Sequence, residues 1–272
     1  MANNDGMLNF TKMVATGNDF IVIDNRLAAA AMPLSRMAER FCDRKTGIGA
    51  DGLLVVERSR SADFRMRIFN PDGSEPDMCG NGSRCIALYA RDKQIAPSSM
   101  IIQTGAGLLR ARVFRERVRV NTTEPLGLKL SIAVTHFNKR YLLHYINTGV
   151  PHAVCFVDDL NGMDMTCFGR SIRYDKIFSP DGVNVNAVKV KGRSSLLVRT
   201  YERGVESETR ACGTGSIASA LIANLVKKLK SPVKIYTKGG ELTVYFKYRD
   251  SRFYDVFLEG PAQEVFTGRI RP

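Results

Sequence analysis

The sequence predicts an α+β protein of two similar lobes, each folding a sheet around one helix. Three observations carry this. The chain repeats itself: CGNGS at 79–83 returns as CGTGS at 212–216, 133 residues later. Several segments alternate apolar and charged residues with a period of two, the signature of strands. The second Cys-Gly motif is followed by a run apolar on most sides, which suits a helix wrapped by sheet.

The repeat extends beyond the cysteines. TGNDF at 16–20 is echoed by TGVPH at 148–152, and MRIFN at 66–70 matches RTYER at 199–203 as an alternating strand. An Asp-Gly pair falls in each half, at Asp51-Gly52 and Asp181-Gly182. Order and spacing kept over nearly half the chain point to two related halves. The boundary should fall near Asn121–Gly127, where polar residues, Pro and Gly interrupt the strand pattern.

Taken in order, Phe64–Phe69 (FRMRIF) and Arg110–Val120 place arginines between apolar residues, so one face of each strand meets the core and one meets water. A first helix is expected over about Ser83–Lys93. Ala153–Val157 (AVCFV) reads as an apolar strand in which Cys155 is packing. A second helix is expected over Ser216–Lys230, with Ile217, Leu221, Leu225 and Leu229 at i, i+4, i+8 and i+12. Lys227, Lys228 and Lys230 complement the negative end of its dipole, and Ser231-Pro232 stops it.

Composition removes several function classes. At 272 residues with 44% hydrophobic and 25% charged content, the chain reads as globular. No run approaches a membrane span, and the first residues lack the basic start and apolar core of a signal peptide, so a cytoplasmic location is expected. The net charge of +13 invites a nucleic-acid reading, yet the arginines sit on solvated strand faces and no binding motif accompanies them. A small-molecule partner is expected, with neither nucleic acid nor membrane. Six cysteines contain no C-x-x-C pair and three histidines are available, so no metal site is expected. Cys42, Cys155 and Cys167 read as buried packing residues, and Cys85 as structural within the first helix.

Cys79 and Cys212 depart from that pattern, because each sits in a Gly-rich turn just before a helix. The positive end of a helix favours a thiolate, and its unpaired N–H groups form a ready site for a carboxylate. A pseudo-twofold relation would bring two thiols to face one another across an anion site. That suits inversion of an amino-acid Cα, which needs a base on one face and an acid on the other. The developing carbanion needs its carboxylate held by aimed N–H dipoles. No lysine sits in an evident pyridoxal-phosphate motif, so no cofactor is expected.

Eight stretches together are similar to a known family: MVATGNDF (13–20), TGIGADG (46–52), RIFNPDGS (67–74), MCGNGSR (78–84), NTGVPH (147–152), GVNVN (182–186), YERG (201–204) and ETRACGTG (208–215). In this order they resemble diaminopimelate epimerase, and GPAQEVFTG (260–268) resembles its C-terminal strand. The resemblance covers essentially the whole chain. It implies two pseudo-symmetric lobes, each a β-barrel-like sheet wrapped around a central helix. The first lobe is then expected over 1–122, completed by a strand over 262–272, and the second over 123–261. The implied reaction is the cofactor-independent interconversion of LL- and meso-2,6-diaminopimelate, serving lysine and cell-wall precursor synthesis, and a homodimer is the family expectation.

By the same resemblance Cys79 and Cys212 are the acid/base pair. Gly80, Asn81, Gly82, Gly213 and Thr214 offer donors to the reacting carboxylate, with Asn18 beside them. Asn70, Asn184 and Arg203 hold the non-reacting end, Glu202 lies close to the α-amino group, and His152, in a loop after Pro151, lies near the cysteines. Asn70, before Pro71-Asp72-Gly73, also reads as a simple turn former. The chain departs from the pattern at Val150, where the family often has asparagine, and in a segment before Cys212 one residue longer than in some members. Two rivals stand beside this reading: a same-fold racemase for proline, hydroxyproline or histidine, and a non-catalytic basic binding protein.

Overall fold

The computed structural model describes residues 7–27 and 32–272. They divide into two compact units, one running to Val120 and taking in Gly260–Pro272, the other spanning Asn121–Glu259. Among the described residues no helix is long and apolar enough to cross a membrane.

The first unit contains β1 (Leu8–Ala15), β2 (Asn18–Asp24), α1 (Leu34–Cys42), β3 (Gly52–Glu57) and β4 (Phe64–Phe69). After these come α2 (Gly80–Asp92), β5 (Ser99–Thr104), β6 (Gly107–Phe114) and β7 (Arg117–Asn121). The sheet order is β17-β1-β2-β3-β4-β5-β6-β7, where β17 is Gln263–Ile270 at the end of the chain. Pairings β2–β3 and β4–β5 are parallel and the other five antiparallel. A parallel pair needs a crossover, and a helix supplies each one: α1 joins β2 to β3, and α2 joins β4 to β5.

The second unit repeats this plan. It holds β8 (Leu126–His136), β9 (Lys139–Asn147), β10 (Pro151–Phe156), α3 (Met165–Arg173), β11 (Asn184–Gly192) and β12 (Ser195–Glu202). The short β13 (Ser207–Thr209), α4 (Gly213–Lys227), β14 (Val233–Thr237), β15 (Gly240–Arg249) and β16 (Arg252–Pro261) complete it. The order β8-β9-β10-β11-β12-β14-β15-β16 has its parallel pairs at β10–β11 and β12–β14, the same places in the sequence of pairings. Helix α3 takes the first crossover and α4 the second.

Each sheet folds around its second helix. Helix α2 packs against β17, β1, β2, β3, β4 and β6, and α4 against β9, β10, β11, β12, β14 and β15. The residues explain the enclosure. Asn81–Ala90 of α2 and Gly215–Ala223 of α4 are buried throughout, mostly as small or apolar side chains. Each sheet wraps its helix in the barrel-like manner expected and stays open, since among the described residues no ladder joins its first strand to its last.

Four expectations need correction. Both helices begin three residues early, at Gly80 and Gly213, because Cys79 and Cys212 cap them directly. Low helix propensity made the glycines read as a loop. Helix α4 ends at Lys227, where Lys228 turns left-handed (φ 59°), so buried Leu229 lies beyond it. The strand match shifts by one: ladder register and burial pair Arg67–Asn70 with Arg199–Glu202, an offset of 132. The extra residue enters before Cys212. Helices α1 and α3 were not expected at all, being short crossovers that bury one face, Met37, Ala38 and Phe41 in α1 and Met165, Phe168 and Ile172 in α3.

The arginine-rich segments behave as their alternation requires. In β6, Leu109, Ala111 and Val113 are buried while Arg110 and Arg112 face outward. Helix α3 shows how closely the second unit is packed, because a Cβ on Gly169 would lie 2.3 Å from Cβ of the buried Tyr201. Gly169→Ala is therefore expected to cost about 1–3 kcal/mol. Thermal unfolding should show a Tm lowered by roughly 2–4 °C for each kcal/mol; an unchanged Tm would mean that α3 lifts freely from β12.

Candidate active site

Cys79 follows the β4 strand and turn with extended backbone (φ −137°, ψ 123°) and accepts the N–H of Gly82 on Sγ at 3.5 Å. Cys212 does the same in the second unit (φ −121°, ψ 117°), accepting Gly215 N–H at 3.4 Å. Each cap is secured alike: Ser83 Oγ donates to Cys79 O at 2.9 Å, and Ser216 Oγ to Cys212 O at 2.8 Å. Both cysteines are half-buried. With Gly82 and Gly215 spent on sulfur, the N–H groups of Gly80, Asn81, Gly213 and Thr214 have no intrahelical acceptor. Those are the turn's ready anion donors.

In the first unit a polar chain backs the cap. Asn18 Nδ2 donates to Asp51 at 2.9 Å, and Asn81 Nδ2 donates to Asn18 Oδ1. Arg84, which sequence reasoning passed over, then donates to Asn81 Oδ1, to Thr16 Oγ1 at 2.8 Å and to Gly80 O at 3.2 Å. Its side chain is fully buried and its Nε has no partner. Burial pulls the guanidinium down to about 10. The only signal in the sequence was a charge in the second turn of a helix whose following turns, Cys85 to Ala90, are small, apolar or aromatic. Asn70 stands apart from this chain: it is exposed and donates to Ser74 Oγ at 2.9 Å inside its own turn.

In the second unit Glu202 ends β12 within hydrogen-bonding reach of Cys212. Thr209 Oγ1 also donates to Glu202. Burial raises the Glu202 carboxyl, while its bonds to Thr209 and Cys212 oppose that. Burial, then the Glu202 charge, pushes the Cys212 thiol up to about 12. Asn184 bridges two segments, donating to Pro151 O at 2.9 Å and accepting Arg203 N–H at 2.9 Å, so it fixes the backbone that carries Arg203. Arg203 Nη1 reaches Asp181 O at 3.3 Å. Thr148 Oγ1 donates to Thr214 O at 3.0 Å, tying the β9–β10 loop to the first turn of α4.

His152 is not in a loop, as expected, but second in β10 and fully buried. Asn186 Nδ2, a donor, lies 3.0 Å from His152 Nδ1, which puts the ring proton on Nε2. Asn186 was also missed: it accepts Thr200 Oγ1 at 2.9 Å, and a Cβ on Gly215 would lie 2.3 Å from its Oδ1. That approach is why position 215 has to be glycine. Cys167 is a further correction, being exposed in the first turn of α3 and not a packing residue. Cys42, Cys85 and Cys155 are buried.

Comparison with known proteins places this arrangement. The sequence pattern described as diaminopimelate epimerase matches residues 10–126 and 144–265. A diaminopimelate epimerase of Hydrogenobaculum sp. (strain Y04AAS1) is 41% identical, over 96% of this chain and 97% of its own. One from Methanocella arvoryzae is also 41% identical, over 97% and 96%. The chain belongs to the diaminopimelate epimerase family. A solved Bacillus anthracis protein of the PhzF family shares the fold, with a TM-score of 0.75 at 18% identity over 97% of this chain and 99% of that one. The two cysteine-capped helix starts are repeated between the units with matching cap geometry.

Burial and the nearby Arg203 charge push His152 down to about 3. The unfolded chain takes up that proton near 6.5, the folded one not until about 3. Its stability contribution is therefore complete above about 6.5 and lost as the pH falls toward 3. Between pH 6.5 and 5, urea unfolding midpoints should fall more steeply for the wild type than for His152→Asn; parallel slopes would show that His152 titrates normally.

Proposed function

We propose that this protein interconverts LL- and meso-2,6-diaminopimelate by moving a proton at one Cα between Cys79 and Cys212, without a cofactor. The observation that supports this most is the pair of matching helix starts, each with a sulfur held against a first-turn N–H and two further N–H groups beside it. The 41% identical relatives named diaminopimelate epimerase support the substrate.

In this reading one cysteine acts as thiolate and takes the Cα proton, leaving the electron pair delocalised into the α-carboxylate. The N–H groups of Gly80, Asn81, Gly213 and Thr214 stabilise that charge, which is greater in the transition state than in the substrate. Gly82 contributes indirectly, by donating to Cys79. The other cysteine, as thiol, gives its proton to the opposite face. The pair ends with its protonation reversed, and the back reaction resets it. Asn18 acts through Asn81, holding the first-turn side chains in place. Glu202 takes the α-ammonium group, and Arg203, positioned by Asn184, clamps the distant carboxylate. Asn70 completes that end, and His152 offers its neutral Nε2–H as a donor. A small molecule is thus the partner, and assembly as a homodimer is part of the proposal.

Reduced protein incubated with LL-diaminopimelate in D₂O should form the meso isomer and take up deuterium at Cα. Cys79→Ala and Cys212→Ala should each lower epimerisation by roughly 10²- to 10⁴-fold, the usual contribution of a general acid or base. No exchange in the reduced wild type, or exchange with proline instead, would overturn the substrate assignment. Full activity in either variant would overturn the two-base mechanism. Gly80→Ala adds a separate check, because its Cβ meets nothing within 4 Å. It should fold as the wild type does while losing turnover through crowding of the carboxylate donors.

A further inference from the structure

The two capped helices are not equivalent in charge, and the differences fall at matching positions. Arg84 of α2 corresponds to Ile217 of α4, at the cysteines' own offset of 133, and Glu202 of β12 corresponds to Asn70 after β4. One helix start therefore has a buried cation and a neutral strand end; the other has an apolar residue and a half-buried acid.

Burying the Arg84 charge in the positive end of a helix is doubly unfavourable, through lost hydration and through the dipole. Its hydrogen-bond acceptors, Gly80 O, Thr16 Oγ1 and Asn81 Oδ1, are all neutral. The carboxylates of the strands packed on α2 are engaged elsewhere: Asp19 with Lys12 and Arg44, Asp24 with Arg26, Glu57 with Arg67, and Glu264 with Lys93. Asp51, before β3, binds Arg44 and reaches Arg84 only through Asn18 and Asn81. Arg117 adds a second positive charge. Two thiols feel the guanidinium, and one of them, Cys85, is fully buried, its thiol driven far up by that burial. Cys79 remains as the group able to supply the missing anion.

The surroundings of Cys212 have the opposite sign. Glu202 is the carboxylate that acts on it. Among the other charged groups on strands packed against α4, Glu241 pairs with Lys234 and Arg199 with Glu208. His152 and His144 are both held toward the neutral form by burial, and Arg203 bears on His152.

We propose that Arg84 and Glu202 polarise the free enzyme, Arg84 holding Cys79 as the thiolate and Glu202 holding Cys212 as the thiol. This rests on the reading of the two cysteines as the acid/base pair. Arg84 is then a positioning residue that acts through Cys79.

Alkylation by iodoacetamide without substrate, resolved by peptide mass spectrometry across pH, tests this directly. Each cysteine gives its own midpoint, which depends on ionisation and not on access. The wild type should show a lower midpoint for Cys79 than for Cys212. Arg84→Met should raise the Cys79 midpoint by about one pH unit or more, about tenfold in rate below it. Arg84→Lys, which keeps the charge, should restore it, whereas a purely structural arginine would leave the midpoint where it was. Glu202→Gln should lower the Cys212 midpoint. An unchanged Cys79 midpoint in folded Arg84→Met, or Cys212 ionising first in the wild type, overturns the proposal. If Arg84→Met does not fold, the wild-type order and Glu202→Gln decide. Epimerisation of LL-diaminopimelate, followed separately on the same preparations, reports the proposed function, so either reading can fail alone.

Discussion

A helix enclosed by sheet on every side can meet polar partners only at its ends. That constraint governs both units. The buried stretches of α2 and α4 satisfy their backbone groups internally, but a first turn always presents N–H groups with no intrahelical acceptor. A serine, threonine or aspartate cap would satisfy them best. Here the cap is a cysteine whose sulfur accepts at 3.4–3.5 Å, a weak bond, and a serine four residues on reinforces it by gripping the cysteine carbonyl. The fold accepts a poorer cap and keeps a thiol at the one place where the helix is open to chemistry.

The scaffold around that place is repeated down to its ion pairs. Arg67 binds Glu75 with two hydrogen bonds of 2.7 Å, and Arg199 binds Glu208 with two of 2.8 Å, each pair bracing the segment between strand and helix. The lining behind each first turn is not repeated. In the first unit Leu54 and Ile68 approach Gly82; in the second, Asn186 and Thr200 occupy the matching positions against Gly215. Phe20 is likewise replaced by His152. An apolar support became a hydrogen-bonded one in which every polar atom but His152 Nε2 has a partner. Such a network is tolerated in a core because it is almost fully satisfied.

Much of this was legible in the residues. The offset repeat gave two lobes and two enclosed helices, and period-two alternation gave β4, β6 and β7. What escaped has physical causes. Glycine's low helix propensity concealed three residues at each helix start. Helices α1 and α3, nine residues each, are too short for periodicity to stand out. Arg84 was missed because arginine is almost never fully buried, so a single sequence argues for exposure. Asn70 and Asn184 looked alike in sequence, yet one serves its own turn while the other clamps two strand ends, a difference set only by what folds beside them.

Duplication on its own would yield two identical thiols, and inversion at a single carbon needs one protonated and one not. A repeat must therefore break its symmetry to work as a pair, and where it does so is constrained. Changing Ser83 or Ser216, or either Arg–Glu brace, would loosen the cap itself. Positions 84 and 217, one turn further into the helices, and positions 70 and 202, at the strand ends, can carry opposite charges while the caps keep the same geometry. Because Coulomb interactions strengthen where water is excluded, opposite charges near the two sulfurs act to separate thiols that otherwise share the same helix-end environment. The chemical asymmetry thus sits in side chains that the cap geometry does not depend on.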